Sequence, residues 1–200
     1  MEAKRSDEVR SLYERYPIPH ATTRSAPDYA YASTWFAYFQ PHELAGCNVL
    51  EAGCGTGNKV AALGQMYPET RFVGIDLSST SVDCSLELLA KHSIKNVEVE
   101  RADLLALEDV ERFDVIQSVG VVHHTADPQR CLANLARALK KEGVMLIWLY
   151  HPLGEFDRLT KRKLLHTLWG PKRDDLCEGE RLMKALGLTL EEGHYGPRKH

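Results

Sequence analysis

Three glycines at alternate positions, Gly53, Gly55 and Gly57, stand in "VLEAGCGTGNK" directly behind an apolar run. A main chain stripped of side chains in this way lets a small molecule approach it closely. Two acids follow at similar intervals. Asp76 lies in "GIDLS", where a carboxylate can accept from both hydroxyls of a ribose, and Asp103 in "RADLL" can accept from the exocyclic amine of an adenine. His123 and His124 close "FDVIQSVGVVHH" and supply two imidazoles, the side chain most often used for general-base work. For either histidine the alternative is a ring simply satisfied by backbone groups. These residue types at this spacing point to a nucleoside ligand with chemistry carried out beside it.

Such residues need rigid supports. Five short runs rich in Val and Ile, 48–53, 71–76, 96–101, 113–120 and 144–150, read as buried parallel strands. Between them Val60, Leu63 and Tyr67, then Val82, Leu86 and Leu89, then Leu132, Leu135, Ala136 and Leu139 recur at helical spacing with one face to bury. Asp127 and Pro128 start the last helix as N-cap and first helical residue. "KKEG" (Lys140 to Gly143) is expected to end it, with cations at the negative pole and a C-cap glycine. This alternation predicts an α/β fold, a doubly wound, mostly parallel sheet with helices on both faces. In such sheets ligands bind beyond the carboxyl ends of the strands where the strand order reverses, which is where the glycine loop and the acids fall.

Ahead of the first strand, Val9, Leu12, Tyr13 and Tyr16 form one helical stripe and Tyr31, Trp35 and Tyr38 another, separated by "YPIPH" (16–20). This helical, aromatic-rich region is expected to be either a cover over the site or a helix pair packed on the sheet. Beyond the fifth run, 153–169 and 174–186 read as helices and "LTLEEGHY" (188–195) as one more strand. The expected organisation is a helical cover over 1–46, a ligand-binding core over 47–152 and a helical region over 153–200. A chain of 200 residues with 44% hydrophobic content can bury one substantial core. A net charge of −3 gives no reason to expect nucleic acid or an anionic membrane as partner. Five scattered cysteines without a CxxC pair suit reduced thiols, and no histidine spacing signals a metal. With no signal-peptide core and no apolar run of membrane length, a cytoplasmic location is expected.

Glycine spacing alone fits two nucleoside ligands, a dinucleotide or S-adenosylmethionine (SAM). The dinucleotide fingerprint is GxGxxG, whereas this loop runs ExGxGxG with Asn58 at the third fingerprint position. Taken together, the loop, Asp76, Asp103 and "FDVIQSVGVVHH" make residues 48–150 resemble the class I SAM-dependent methyltransferases and their Rossmann-like fold. The paired histidine is similar to that of bacterial small-molecule members. The resemblance implies that Glu51 and Gly53 start the loop, with the Gly53 backbone holding the methionine moiety, and that Gly55 and Gly57 permit close approach. It implies Asp76 on the ribose with Leu77 against the adenine, Asp103 and the Leu104 amide on the adenine edge, and Ser118 facing the methionine amino group. His123 is implied toward the acceptor and His124 as a support of the turn, since an extended strand presents neighbours on opposite sides. Tyr150 and His151 are further candidates for a base. Standing at successive strand ends, Asp76 and Asp103 are not both expected to be mere backbone caps.

The activity implied is methyl transfer from SAM to a small-molecule acceptor by in-line displacement, with S-adenosylhomocysteine as product. The protein's part in that is alignment and exclusion of water. The tetrad that clamps a base amine in adenine- and glutamine-directed members is absent, "QSVG" standing at 117–120, and the Pro-Cys nucleophile of cytosine-directed members is missing. One feature departs from the family pattern. Its sheet closes with two further strands, the last antiparallel, whereas only residues 151–200 follow the fifth run here. The alternative is therefore a SAM-binding module, inactive alone, that needs a partner or a missing C-terminal region. A nicotinamide-dependent oxidoreductase is the third reading.

Overall fold

The five expected strands form in a computed structural model that describes residues 2–18, 26–151, 153–154, 156–170 and 176–187. They are β1 (Asn48–Ala52), β2 (Arg71–Asp76), β3 (Val97–Arg101), β4 (Phe113–Val119) and β5 (Leu139–Trp148). All pair in parallel, in the order β3-β2-β1-β4-β5. The helices α1 (Glu2–Arg15) and α2 (Tyr29–Ala32) precede the sheet, and α3 (Asn58–Met66), α4 (Ser79–Lys91) and α5 (Pro128–Ala138) lie between strands. The strand order turns back between β1 and β4. The loop after β1 and the turn after β4 therefore border the crevice where such sheets take ligands.

Buried parallel strands are apolar on both faces, and here the alternation sorts two cores. Val49 and Val115 pack on one face with Leu63, Leu88, Tyr67 and Phe72. Leu50, Ile75 and Ile116 pack on the other with Leu104, Leu105 and Leu135. Trp35 from the aromatic stripe belongs to the first core, 1% exposed, with ring centroids 5.9 Å from Tyr67 and 6.2 Å from Phe72. Tyr38 of the same stripe is exposed.

Two expectations are corrected. Leu86 and Leu132 are exposed, as is Ala136, so the buried faces of α4 and α5 are rotated from those the apolar spacing selects. The faces carry Ser81, Val82, Ser85, Leu88 and Leu89 on α4, and Cys131, Asn134, Leu135 and Ala138 on α5. Ser85 and Asn134 sit inside because each has a fixed acceptor. Asn134 Nδ2 donates to the Leu104 and Leu105 carbonyls at 3.0 Å, and Ser85 Oγ to Gly55 O at 2.9 Å. Further on, "KKEG" does not cap α5 but belongs to β5. Lys140 Nζ lies 2.8 Å from Asp114 Oδ1, and a Cβ on Gly143 would stand 2.9 Å from the Asp114 carbonyl. The glycine serves close strand approach at the register shift between Phe113 and Val115, and ladder pairing wins over cap chemistry.

Residues 1–149 form one compact unit and 150–200 another. The second contains α6 (Phe156–Trp169) and α7 (Leu176–Ala185), while the strand expected over 188–195 lies outside the described residues. Among the described residues no helix is long and apolar enough to cross a membrane.

Candidate functional site

The glycine loop is held open by its backbone. Gly53, Gly55 and Gly57 have φ of +83°, +56° and +82°, in the left-handed region that side chains disfavour. All three also admit a close neighbour, at Gly53 the Val121 side chain, whose methyls a Cβ would meet within 3 Å. Thr56 N donates to Ile18 O at 3.0 Å, and a Cβ on Gly55 would stand 2.4 Å from that same oxygen. At Gly57, the N-cap of α3, a Cβ would come within 2.7 Å of Ser85 Oγ. A second crossing of the loop follows, where Asp28 N donates to Asn58 O at 2.9 Å. The segment ahead of the first strand is therefore stitched directly to the loop. Residues 19–25, including His20, lie outside the described residues.

Three acids converge at the carboxyl ends of β1, β2 and β3. Asp76 accepts from Gly55 N on Oδ2 and from Ser78 N on Oδ1, both at 2.9 Å, and burial pushes its carboxyl pKa up against those bonds. Asp103 caps the short helical turn Leu104–Ala106, accepting from Leu105 N at 2.9 Å. Both acids hold backbone amides, Asp103 as the cap of its turn and Asp76 as a tie between the glycine loop and Ser78. A carboxylate offers about four lone-pair sites, so each keeps room for a ligand hydroxyl or amine. Leu77 is half-buried and Leu104 buried beside them. Glu51 is the deepest of the three at 2% exposure, and burial pushes it up to about 7, with the Lys59 ammonium and a bond from Gln117 acting the other way. Among the described residues, Gln117 Nε2 is its hydrogen-bond donor, at 2.6 Å from Oε2. Ser118, fully buried, donates its hydroxyl to Ala52 O at 3.1 Å and so ties β4 to β1.

The histidine pair lies beyond the strand. β4 ends at Val119, and His123 and His124 share the 3₁₀ turn Val122–His124, where strand alternation no longer separates them. Their ring centroids are 4.1 Å apart, and both ring nitrogens of His123 are enclosed by protein. Tyr150 and His151 lie past the end of β5, and His151 Nδ1 accepts from Leu153 N at 3.3 Å. Among the described residues no cluster of three metal-ligating side chains forms.

Two features escaped the sequence reading. Glu14, on α1, grips the first turn of α4: Oε1 accepts from Ser79 N at 2.7 Å, and Oε2 from Thr80 N at 3.0 Å and Thr80 Oγ1 at 2.6 Å. The Thr80 hydroxyl is the chief reason its carboxyl is held from an ordinary 4.5 down to about 2. Nothing local marks Glu14 among the other charges of α1. Gln117 did carry a signal, because an amide inside the apolar run "FDVIQSV" must find buried partners. Its oxygen accepts from Trp35 Nε1 at 2.5 Å while its nitrogen serves Glu51.

A buried carboxylate beside a bare loop suits a ligand with a cationic group, which would offset the cost of burial. The acids around it suit a nucleoside. A family model described as "Methyltransferase domain" matches residues 43–184. An uncharacterized protein of Synechococcus sp. is 29% identical over 183 residues, covering 86% of this chain and 43% of that protein. The ubiquinone biosynthesis O-methyltransferase of Bartonella quintana is 34% identical over 103 residues, covering 50% of this chain and 39% of that protein. Among solved structures, PKMT2 from Rickettsia typhi in complex with AdoHcy superposes with a TM-score of 0.57 at 23% identity, over 82% of this chain and 33% of that one. The chain thus spans less than half the length of each of these three.

Proposed function

The chain belongs to the class I SAM-dependent methyltransferases, and from that premise we propose that it transfers a methyl group from SAM to a small-molecule acceptor by in-line displacement. The observation that carries the reading is the buried Glu51 carboxylate at the head of a loop whose three glycines all hold positive φ. When bound, SAM supplies a methyl group already activated by the sulfonium charge. The chain's own residues then bind and orient. The Gly53 backbone and Glu51 hold the methionine end, with Ser118 behind them, and Gly55 and Gly57 let the loop close in. Asp76 takes the ribose hydroxyls while Leu77 covers the adenine, and Asp103 with the Leu104 amide takes the adenine edge. Alignment of donor and acceptor away from water can supply several kcal/mol of the barrier. A proton on the acceptor would leave to an imidazole of the pair His123 and His124.

The small-molecule acceptor is supported by the Bartonella relative, named for a step in ubiquinone biosynthesis, and by the absence of the base-clamping tetrad at 117–120. A second reading has its own observation. The chain spans 43% of the Synechococcus relative, which favours a SAM-binding module completed by a partner or a further region. Calorimetry with SAM, S-adenosylhomocysteine and NAD tests the cofactor, and binding of NAD alone would sink the family reading at this site. Transfer of labelled methyl into the small-molecule fraction of a cell extract tests the acceptor. Label found only in macromolecules overturns it, and binding without any transfer leaves the module.

A further inference from the structure

Glu51 and Gln117 are register partners across β1 and β4, so their side chains emerge together on one face of the sheet. That is the face of Val49 and Val115, which Trp35 covers. The result is a buried chain of three: Trp35 Nε1 donates to Gln117 Oε1 at 2.5 Å, and Gln117 Nε2 donates to Glu51 Oε2 at 2.6 Å. All three residues are 2% exposed or less.

The chemistry of the two ends fixes the middle. An indole N–H can only donate, and a carboxylate can only accept. A glutamine amide between them satisfies both in one orientation and neither in the other, and the reverse orientation would set its carbonyl oxygen against the Glu51 carboxylate. Without Trp35 the amide is free to turn. In a buried site an unmet carboxylate responds by taking up a proton, which makes it useless to a cation. The charged group acting on Glu51 from the surrounding elements is Lys59 of α3, whose ammonium favours the anion; the neighbouring Cys54 thiol of the loop is kept protonated by burial and by the charges of Asp76 and Glu51, and so adds no charge of its own.

We infer that Trp35 is a positioning residue for the cofactor's methionine end: through the Gln117 amide it holds Glu51 as an oriented anion ready for the ammonium group. The inference rests on the SAM reading above. It makes the aromatic segment ahead of β1 more than core packing, because that segment decides the charge state of a residue on β1. It also explains why a tryptophan, not a phenylalanine, stands in this apolar cluster.

The test is calorimetry of the full chain from pH 6 to 9 with two probes, SAM and 5′-methylthioadenosine, which lacks the amino acid. For the parent protein SAM binding should weaken below about pH 7, as Glu51 takes up a proton, while 5′-methylthioadenosine stays flat. Trp35→Phe keeps the ring and removes the donor. A displacement of Glu51 by one pH unit corresponds to about tenfold weaker SAM binding at pH 6, converging on the parent at pH 9, with 5′-methylthioadenosine within about twofold throughout. Gln117→Met, which lacks the amide, should shift the SAM profile the same way, and the double variant should add nothing further. Equal weakening of both probes at every pH would mean packing alone and overturns the inference, as does a Trp35→Phe SAM profile that superposes on the parent. If the parent protein binds neither probe, it is the cofactor reading that fails.

Discussion

Removing the Asp76 carboxylate separates its two duties. In Asp76→Ala the amides of Gly55 and Ser78 lose acceptors that stand at 2.9 Å. A donor left without its partner costs about 1–3 kcal/mol. The lower end applies here, because Asp76 is half-buried and water can enter the vacated space; the lost carboxylate also takes its own desolvation cost with it. Two such amides give about 2 kcal/mol of destabilisation. For a chain of this length each kcal/mol lowers the melting temperature by about 2–4 °C, so a fall of about 4–8 °C is expected. Asp76→Asn should not rescue it fully, since its amide oxygen can serve one N–H while its NH2 faces the other. Ligand binding adds the ribose duty, and loss of a charged pair of hydrogen bonds should weaken SAM by at least about tenfold, or 1.4 kcal/mol. Melting followed by circular dichroism and calorimetry with SAM give the two numbers. A melting temperature within about 2 °C of the parent refutes the loop-holding argument, and a clear fall in melting with unchanged SAM affinity refutes the ribose role.

Other perturbations follow from the same geometry. Glu14→Gln should release α1 from α4, seen as faster hydrogen exchange along residues 2–15 with the sheet unchanged; equal exchange rates would remove the grip. Because Glu14 is depressed from 4.5 to about 2, its contribution is fully present above the ordinary value and fades as pH falls through about 2, so exchange in the parent should be insensitive to protonation of this group between pH 8 and 5. Gly55→Ala places a methyl 2.4 Å from Ile18 O at a φ of +56°, and should both lower the melting temperature and weaken SAM by about tenfold or more; a silent variant would mean the segment does not lie on the loop. For the histidines, the enclosed ring nitrogens of His123 lead us to propose an exchange of the parts read from the sequence, which set His123 toward the acceptor and His124 on the turn. His123→Ala should lower the melting temperature and His124→Ala the transfer rate at unchanged SAM affinity, and the opposite pattern in melting and turnover assays would restore the original assignment.

The sequence by itself carried the architecture. Strand periodicity placed β2 at its observed ends and β1, β3 and β4 within about two residues, because a buried parallel strand has to be apolar on both faces and that run is local. The glycine loop was equally legible, since positive φ and close backbone approach are written in the residue type. What stayed hidden were relations between distant positions. The faces of α4 and α5 turn on the acceptors met by Ser85 and Asn134, which no spacing of apolar residues reports. Lys140 and Gly143 have good C-cap chemistry, yet the ladder with β4 drew them into β5. Glu14 reads as one more surface charge until the chain brings it to an α4 turn 65 residues away. Glu51 was singled out from its motif, but its charge state depends on Gln117 and, through it, on Trp35, 82 residues from Gln117. Local patterns decide which elements form, because backbone hydrogen bonding and burial act over a few residues. The protonation and aim of a buried side chain depend on what the fold sets against it, and that is fixed only in three dimensions.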